Sequence, residues 1–316
     1  VMLEGNPDVR NIVTVAPRPT LADHAALVRR LWRRYDLAVV AETGDRPHLY
    51  GLFAASRRAG LLPPRALARW WKAPLLARSV TFAPHERRID AYRRLAETMA
   101  LDFVPKPVVP TAGQNTAVYK SHLGLDARDC YAVVNLAPRF RYKRWHVRGW
   151  CALFDWLHAR GMRIVVTRGD APAERDYVRE VIAESGAPTI DIAGRLGFGE
   201  TADLLRGAAL YVGPDTATSH LAAACGTPAV VLFGPTDPRI WGPIPRGGLG
   251  TPYAAVAASQ RRGNVLLLQE PSLSCVPCQR EGCERHRESF SACLDALTAT
   301  AVIEAAQTLL TRSGAS

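Results

Sequence analysis

The sequence predicts an α/β protein of two domains, each a parallel sheet covered by helices. Three observations predict it. Short apolar runs alternate with longer amphipathic ones through most of the chain, the pattern of strands buried on both faces and the helices that cover them. Several runs break off into Gly, Pro and helix-starting polar residues, as Leu210 to Val212 does at Gly213-Pro214-Asp215. And 316 residues are about twice an ordinary single-domain length.

In chain order, a helix is expected from Leu21 to Tyr35, with Leu27, Val28 and Leu31 on one face, then a strand from Leu37 to Ala41 and another from Ser79 to Ala83. Pro105, Pro107, Pro110 and Gly113 read as a connection, and a helix is expected around Asn115 to Leu123. Two convincing strands are few for such a domain, so the amino-terminal part reads as incomplete. The second part is clearer. Strands are expected at Tyr131 to Leu136, Arg163 to Thr167, Thr189 to Ile192, Leu210 to Val212 and Ala229 to Phe233. Helices at Trp150 to Arg160, Ala173 to Ser185, Gly199 to Gly207 and Ser219 to Cys225 alternate with them, which makes a doubly wound sheet. A Pro/Gly-rich loop from Gly234 to Pro252, a cysteine cluster and a helix from Thr298 to Leu310 follow. The expected domains are 1–126 and 127–297, with 298–316 a terminal helix crossing between them.

Apolar residues make up 48% of the chain and charged ones 22%, which excludes a disordered, collagenous or coiled-coil chain. No secretory leader and no 18-residue apolar run is visible, so a cytoplasmic protein is expected. The net charge is +11, and most of the excess lies early: residues 1–126 carry 19 Lys and Arg against 11 Asp and Glu. Such a field attracts a phosphorylated small molecule or an anionic membrane surface, or is simply a solvated face. No zinc-finger, RNA-binding or helix-turn-helix pattern accompanies the arginines, so nucleic acid is not an expected partner.

Three loops follow strands of the second sheet with anion-compatible groups. In Gly213-Pro214-Asp215-Thr216-Ala217-Thr218-Ser219-His220, a strand breaks into a helix amino terminus. Its free amides, the hydroxyls of Thr216, Thr218 and Ser219, and the His220 ring suit a phosphate or diphosphate. Asp215 would be repelled by an anion and is expected to hold sugar hydroxyls instead. A plain helix cap with a core histidine is the alternative account. Gly234-Pro235-Thr236-Asp237 is a second rigid loop at the same edge, and Lys143, with Arg139 or Arg141, could reach a diphosphate from a third. Adjacent loops at the carboxyl ends of parallel strands are where open sheets bind ligands. Neither a Rossmann glycine fingerprint nor a Gly-Lys-Ser/Thr phosphate loop is present, which weighs against a dehydrogenase or an ATPase.

These segments resemble glycosyltransferase family 9, the heptosyltransferase-like enzymes. The resemblance is carried by Gly213 to His220, Leu221 to Pro228, Phe233 to Pro238, Trp241-Gly242-Pro243, Lys143-Arg144-Trp145 and Tyr35 to Val40. It implies a two-domain glycosyltransferase of the B type that works without a divalent metal. Such an enzyme would move a heptose-like sugar, with inversion, from an ADP-sugar to a lipopolysaccharide-core or related acceptor at the inner membrane face. By the same resemblance Asp215 would contact the donor sugar, the Thr216 and Ala217 amides with His220 the diphosphate, Lys143 the leaving phosphate, and Glu174 the ribose. Two departures stand out. Ala217 occupies a position that is usually Gly, and no amino-terminal Gly-Asp segment supplies the catalytic base. Asp45 and Asp23 are the substitutes on this chain, which reads as opening a strand-helix pair or two into the family pattern. A non-catalytic nucleotide-sugar-binding relative, a heptosyltransferase acting on protein and an epimerase of similar architecture are the alternatives.

Cys275, Cys278, Cys283 and Cys293 have a spacing that suits a structural zinc or iron, with reduced thiols or disulfides as the other outcomes. Cys130, Cys151 and Cys225 are expected as apolar fillers.

Overall fold

The computed structural model describes residues 3–113, 118, 120, 121, 123–126, 128–192 and 196–313. The chain divides into two compact units, Asn11–Pro105 and Val1–Arg10 with Lys106–Ser316. The helix expected around Asn115 to Leu123 falls largely outside the described residues.

In the smaller unit, α1 (Leu21–Leu31) opens on a reciprocal capping box between Thr20 and Asp23. It stops short of the expected Tyr35 because Arg33 turns to a φ of +48° and donates its amide to the Phe53 carbonyl. Strand β1 (Tyr35–Val40) follows, then α2 (Asp45–Ala54), β2 (Ala55–Leu62), β3 (Arg78–Thr81) and α3 (Arg88–Thr98). The strands form a parallel sheet in the order β1-β2-β3. Sequence reasoning missed α2, β2 and α3. Arg57 and Arg58 interrupt the apolar pattern of β2, and the sheet accommodates Arg58 by bonding its guanidinium to the Leu75 and Ala55 carbonyls. Alternate residues of β1, Tyr35, Leu37 and Val39, are exposed, whereas Leu61 and Leu62 of β2 are buried.

The larger unit runs β4 (Tyr131–Ala137), α4 (Val147–Ala159), β5 (Arg163–Arg168), α5 (Pro172–Ser185), β6 (Thr189–Asp191) and α6 (Phe198–Arg206). It continues with β7 (Leu210–Pro214), α7 (Ala217–Cys225), β8 (Ala229–Leu232), β9 (Ser259–Arg262), β10 (Val265–Leu268) and a terminal α8 (Ala299–Ser313). The sheet order is β6-β5-β4-β7-β8-β10-β9, parallel except for the β9–β10 hairpin at one edge. That hairpin was not expected, although Val265-Leu266-Leu267-Leu268 is a plain apolar run. Every residue of β4 is buried, with Ala132, Val134 and Leu136 facing one core and Tyr131 and Val133 the other, the two-residue period of a strand covered on both sides. Helix α8 packs Val302, Ala305, Ala306 and Leu309 into the first of these cores, against α4, β7, β8 and β10. Trp145 lies edge-on to Trp150 beneath the loop after β4 and donates its indole N–H to the Leu297 carbonyl at 2.7 Å.

The chain leaves β4 toward β5 on one side, and β7 flanks β4 on the other. The carboxyl ends of β4 and β7 therefore border the point where strand order reverses, where an open sheet leaves a crevice. Among the described residues no helix is long and apolar enough to cross a membrane.

Candidate functional site

The crevice beside β4 and β7 is built from residues that each element delivers locally. Gly213 and Pro214 end β7, Thr216 takes an extended N-cap conformation, and α7 starts at Ala217. The Ser219 and His220 amides bond to the Thr216 carbonyl, while the amides of Thr216, Ala217 and Thr218 have no partner among the described residues. Three N–H groups at the positive end of a helix are therefore available to an anion. The turn after β4 brings Lys143 to the same place. Its Nζ lies 2.7 Å from Asp215 Oδ2 and 3.2 Å from the Asp215 carbonyl oxygen.

Asp215 is the electrostatic centre of the site. Its side chain is only 7% exposed, against 20% for that of Lys143, and His220 Nε2 lies 3.6 Å from its other oxygen. Burial pushes the carboxyl up, but the neighbouring His220 ring and the Lys143 charge outweigh it and hold the group below the usual carboxylate range. Asp215 thus stands as an anion beside one ammonium and three free amides, a site that can take up a further anion.

Polar atoms without partners gather along the same edge. Asn135 on β4 is 5% exposed; its Nδ2 donates to Thr216 Oγ1 at 3.3 Å, and its Oδ1 is buried without a partner. Thr167 Oγ1, near the end of β5, and Thr236 Oγ1, in the loop after β8, are likewise buried and unpartnered. Sequence reasoning named Thr236 and missed Asn135 and Thr167. The signal for Asn135 was a lone amide inside the apolar run Tyr131-Ala132-Val133-Val134-Asn135-Leu136-Ala137.

Other expected site residues are placed differently. Ser219 is fully buried, with its hydroxyl on the Pro214 carbonyl and in contact with Tyr211, so it holds the turn together and is not a free donor to a ligand. Glu174, 6% exposed, accepts the Gly169 amide at 2.8 Å and closes the loop after β5, so one of its oxygens is already occupied. A Cβ on Gly169 would meet that carboxylate and displace it. Arg141 donates to the Glu288 carbonyl, and Arg139 lies over the Phe140 ring. Asp23 is spent in the capping box of α1, where its hydrogen bonds with Thr20 lower its pKa. That position is set by the start of a helix. Asp45 heads α2 just beyond β1, 71% exposed, and pairs with the buried Lys72 at 2.7 Å.

The metal expected at Cys275, Cys278, Cys283 and Cys293 does not fit. Among the described residues no three His, Cys, Asp or Glu side chains converge as ligands. Cys275 and Cys283 are exposed, and Cys293 is buried behind Gly234. Burial, with lesser contributions from Cys278 and Cys283, pushes the Cys293 thiol up to about 12. All seven cysteines are free thiols.

The glycosyltransferase family 9 (heptosyltransferase) model matches residues 13–261, well over half the chain. The chain belongs to glycosyltransferase family 9. Among family 9 relatives, lipopolysaccharide heptosyltransferase 3 of Escherichia coli is 36% identical over 114 residues, which are 36% of this chain and 34% of the relative. Lipopolysaccharide heptosyltransferase 1 of Salmonella typhimurium is 37% identical over 114 residues, 36% of this chain and 35% of the relative. The aligned stretch therefore spans about a third of these relatives' length. In fold, this family 9 chain is similar to E. coli ADP-heptose lps heptosyltransferase II, with a TM-score of 0.66, 18% identity, and coverage of 93% of this chain and 81% of that one. It is also similar to E. coli heptosyltransferase WaaC with ADP, with a TM-score of 0.63, 20% identity, and coverage of 92% and 79%. The α/β architecture with parallel sheets is thus that of solved heptosyltransferase structures.

Proposed function

We propose that this chain transfers a heptose-like sugar from an ADP-sugar to a lipopolysaccharide-core or related glycolipid acceptor, with inversion and without a catalytic metal. The observation that carries the reading is the part-buried Lys143–Asp215 pair beside the three unpartnered amides of Thr216 to Thr218. The diphosphate would lie over those amides and draw on Lys143. Asp215 would accept from hydroxyls of the donor sugar, beside Asn135 Oδ1, and Glu174 would lie toward the ribose. As the glycosidic bond to phosphate lengthens, negative charge grows on the leaving diphosphate. Amides and an ammonium already in place stabilise that charge more than the ground state, which lowers the barrier. The acceptor hydroxyl attacks the opposite face of the sugar and gives its proton to a carboxylate. Asp45, exposed just beyond β1, is a candidate for that carboxylate. Relatives that are lipopolysaccharide heptosyltransferases support the acceptor class, and a similar structure with bound ADP supports the donor. A basic amino-terminal part suits the cytoplasmic face of an anionic membrane.

The test is calorimetry with ADP and ADP-heptose, paired with a transfer assay to a heptose-deficient core glycolipid. Wild type should bind both nucleotides and transfer the sugar, and Asp215→Ala should abolish transfer. Binding without transfer would identify a nucleotide-sugar-binding relative, and absence of ADP binding would overturn the donor assignment.

A further inference from the structure

Beneath the amino terminus of α7 lies a chain of hydroxyls whose protons can be assigned in order. Tyr211, on β7, is fully buried, and its ring runs along the strand to reach Ser219 Oγ at 2.8 Å. The corridor exists because residue 213 is glycine; a Cβ there would collide with the phenol oxygen. Ser219 has one proton, and its closest acceptor is the Pro214 carbonyl oxygen. In the Tyr211–Ser219 contact the phenol is therefore the donor. Burial drives that phenol well above the ordinary tyrosine range, against the pull of nearby Ser219, Thr216 and Asn135, so it keeps its proton.

Thr216 Oγ1 lies near the Tyr211 phenol and has two further polar neighbours. Asn135 Nδ2 donates to it at 3.3 Å, and Ser219 Oγ lies 3.3 Å away. Because Ser219 already receives a proton from Tyr211 over a shorter distance, the Thr216 proton is not needed there. It is left at the helix terminus, beside the unpartnered amides of Thr216, Ala217 and Thr218. A second observation points to a ligand at this spot: the Asn135 carboxamide, 95% removed from solvent, turns one end to Thr216 and leaves its Oδ1 without a partner.

We propose that Tyr211 is a positioning residue for the anion site: by supplying the proton that Ser219 needs, it frees the Thr216 hydroxyl to donate to a phosphate oxygen, with Asn135 polarising that hydroxyl from behind. The proposal rests on the donor reading above and adds which side chains orient the donors. Hydrogen bonds in series strengthen one another, and one made to a charged oxygen is stronger than one between neutral groups. Without the phenol proton, Thr216 turns to satisfy Ser219 and is lost to the ligand.

The experiment is a double-mutant cycle read by calorimetry with ADP, with adenosine as the ligand that lacks the diphosphate. Thr216→Val should weaken ADP binding about tenfold or more, and Thr216→Ser, which keeps the hydroxyl, should restore it. Tyr211→Phe should weaken ADP binding by a similar factor and leave adenosine binding unchanged. In the Thr216→Val background, Tyr211→Phe should add less than about twofold, because the group it acts through is gone. A role confined to packing would instead lower ADP and adenosine affinity together and add fully in the double variant, which would overturn the proposal. So would a Thr216→Val variant that binds ADP as wild type does; this arm stands even where Tyr211→Phe folds poorly. Wild type that binds no ADP would overturn both the donor reading and this one, whereas wild-type binding with additive variants overturns this one alone.

Discussion

Replacing Lys143 with methionine keeps the aliphatic stem and removes the ammonium from Asp215. The lysine makes two donations, to the carboxylate at 2.7 Å and to the main-chain carbonyl at 3.2 Å. Asp215, with 7% of its side chain exposed, cannot recover them from water, and only His220 at 3.6 Å remains beside it. A hydrogen bond to a charged group contributes about 1.5–3 kcal/mol, and breaking a fully buried ion pair costs about 3–5 kcal/mol. The 20% exposure of Lys143 and the residual His220 contact place this pair near the lower figure, about 2 kcal/mol. For a unit of this size that is a fall of roughly 4–8 °C in Tm. The pH dependence follows from the depressed pKa of Asp215. A carboxylate held below its unfolded value stabilises the fold above that unfolded value, and the contribution is lost as pH falls through the native one. Wild type and Lys143→Met should therefore differ most near neutrality and converge on acidification. Thermal unfolding in a pH series measures this directly. Equal Tm values at neutral pH, or a gap that stays constant into acid, would refute the reasoning. The same variant should lose about tenfold or more in ADP affinity, because the cation opposite the amides is gone.

Gly213→Ala places a methyl group against the Tyr211 hydroxyl and the Asn135 side chain, so calorimetric unfolding should show a loss of about 1–3 kcal/mol from overpacking. Asp23→Ala removes the capping box of α1 and should lower the Tm of the protein near neutral pH. Because the pKa of Asp23 is depressed, its contribution fades as pH falls through that native value, and the two proteins should converge in acid. Timed alkylation with iodoacetamide near pH 8, followed by mass spectrometry, should label exposed Cys275 quickly and leave buried Cys293, with its thiol at about 12, unmodified until the protein unfolds. Elemental analysis of the native protein should find no metal bound stoichiometrically by the four clustered cysteines.

Local pattern was enough for the larger sheet, because β4, β5, β7 and β8 each carry a run of three or more buried apolar residues closed by a breaker, the form of a strand covered on both faces. It was enough, too, for the anion loop: Gly213, Pro214 and the polar residues after them carry their conformations in their own chemistry. Local pattern failed where distant partners rescue an unfavourable residue. Strand β2 keeps Arg58 only because carbonyls at Leu75 and Ala55 receive it, and β9 pairs at the edge by virtue of β10. The identity of the site's working groups belongs to the second kind. Lys143 and Asp215 are 72 residues apart, and no spacing rule says that they meet; the strand order that sets β4 beside β7 does. Within single strand-loop-helix units, Ser219 turned inward onto Tyr211 and Glu174 closed over Gly169, while the Thr216 to Thr218 amides and Asn135 Oδ1 were left without partners. A residue's type is written in the chain, but whether its polar atoms are already satisfied depends on what the fold brings within about 3 Å of them.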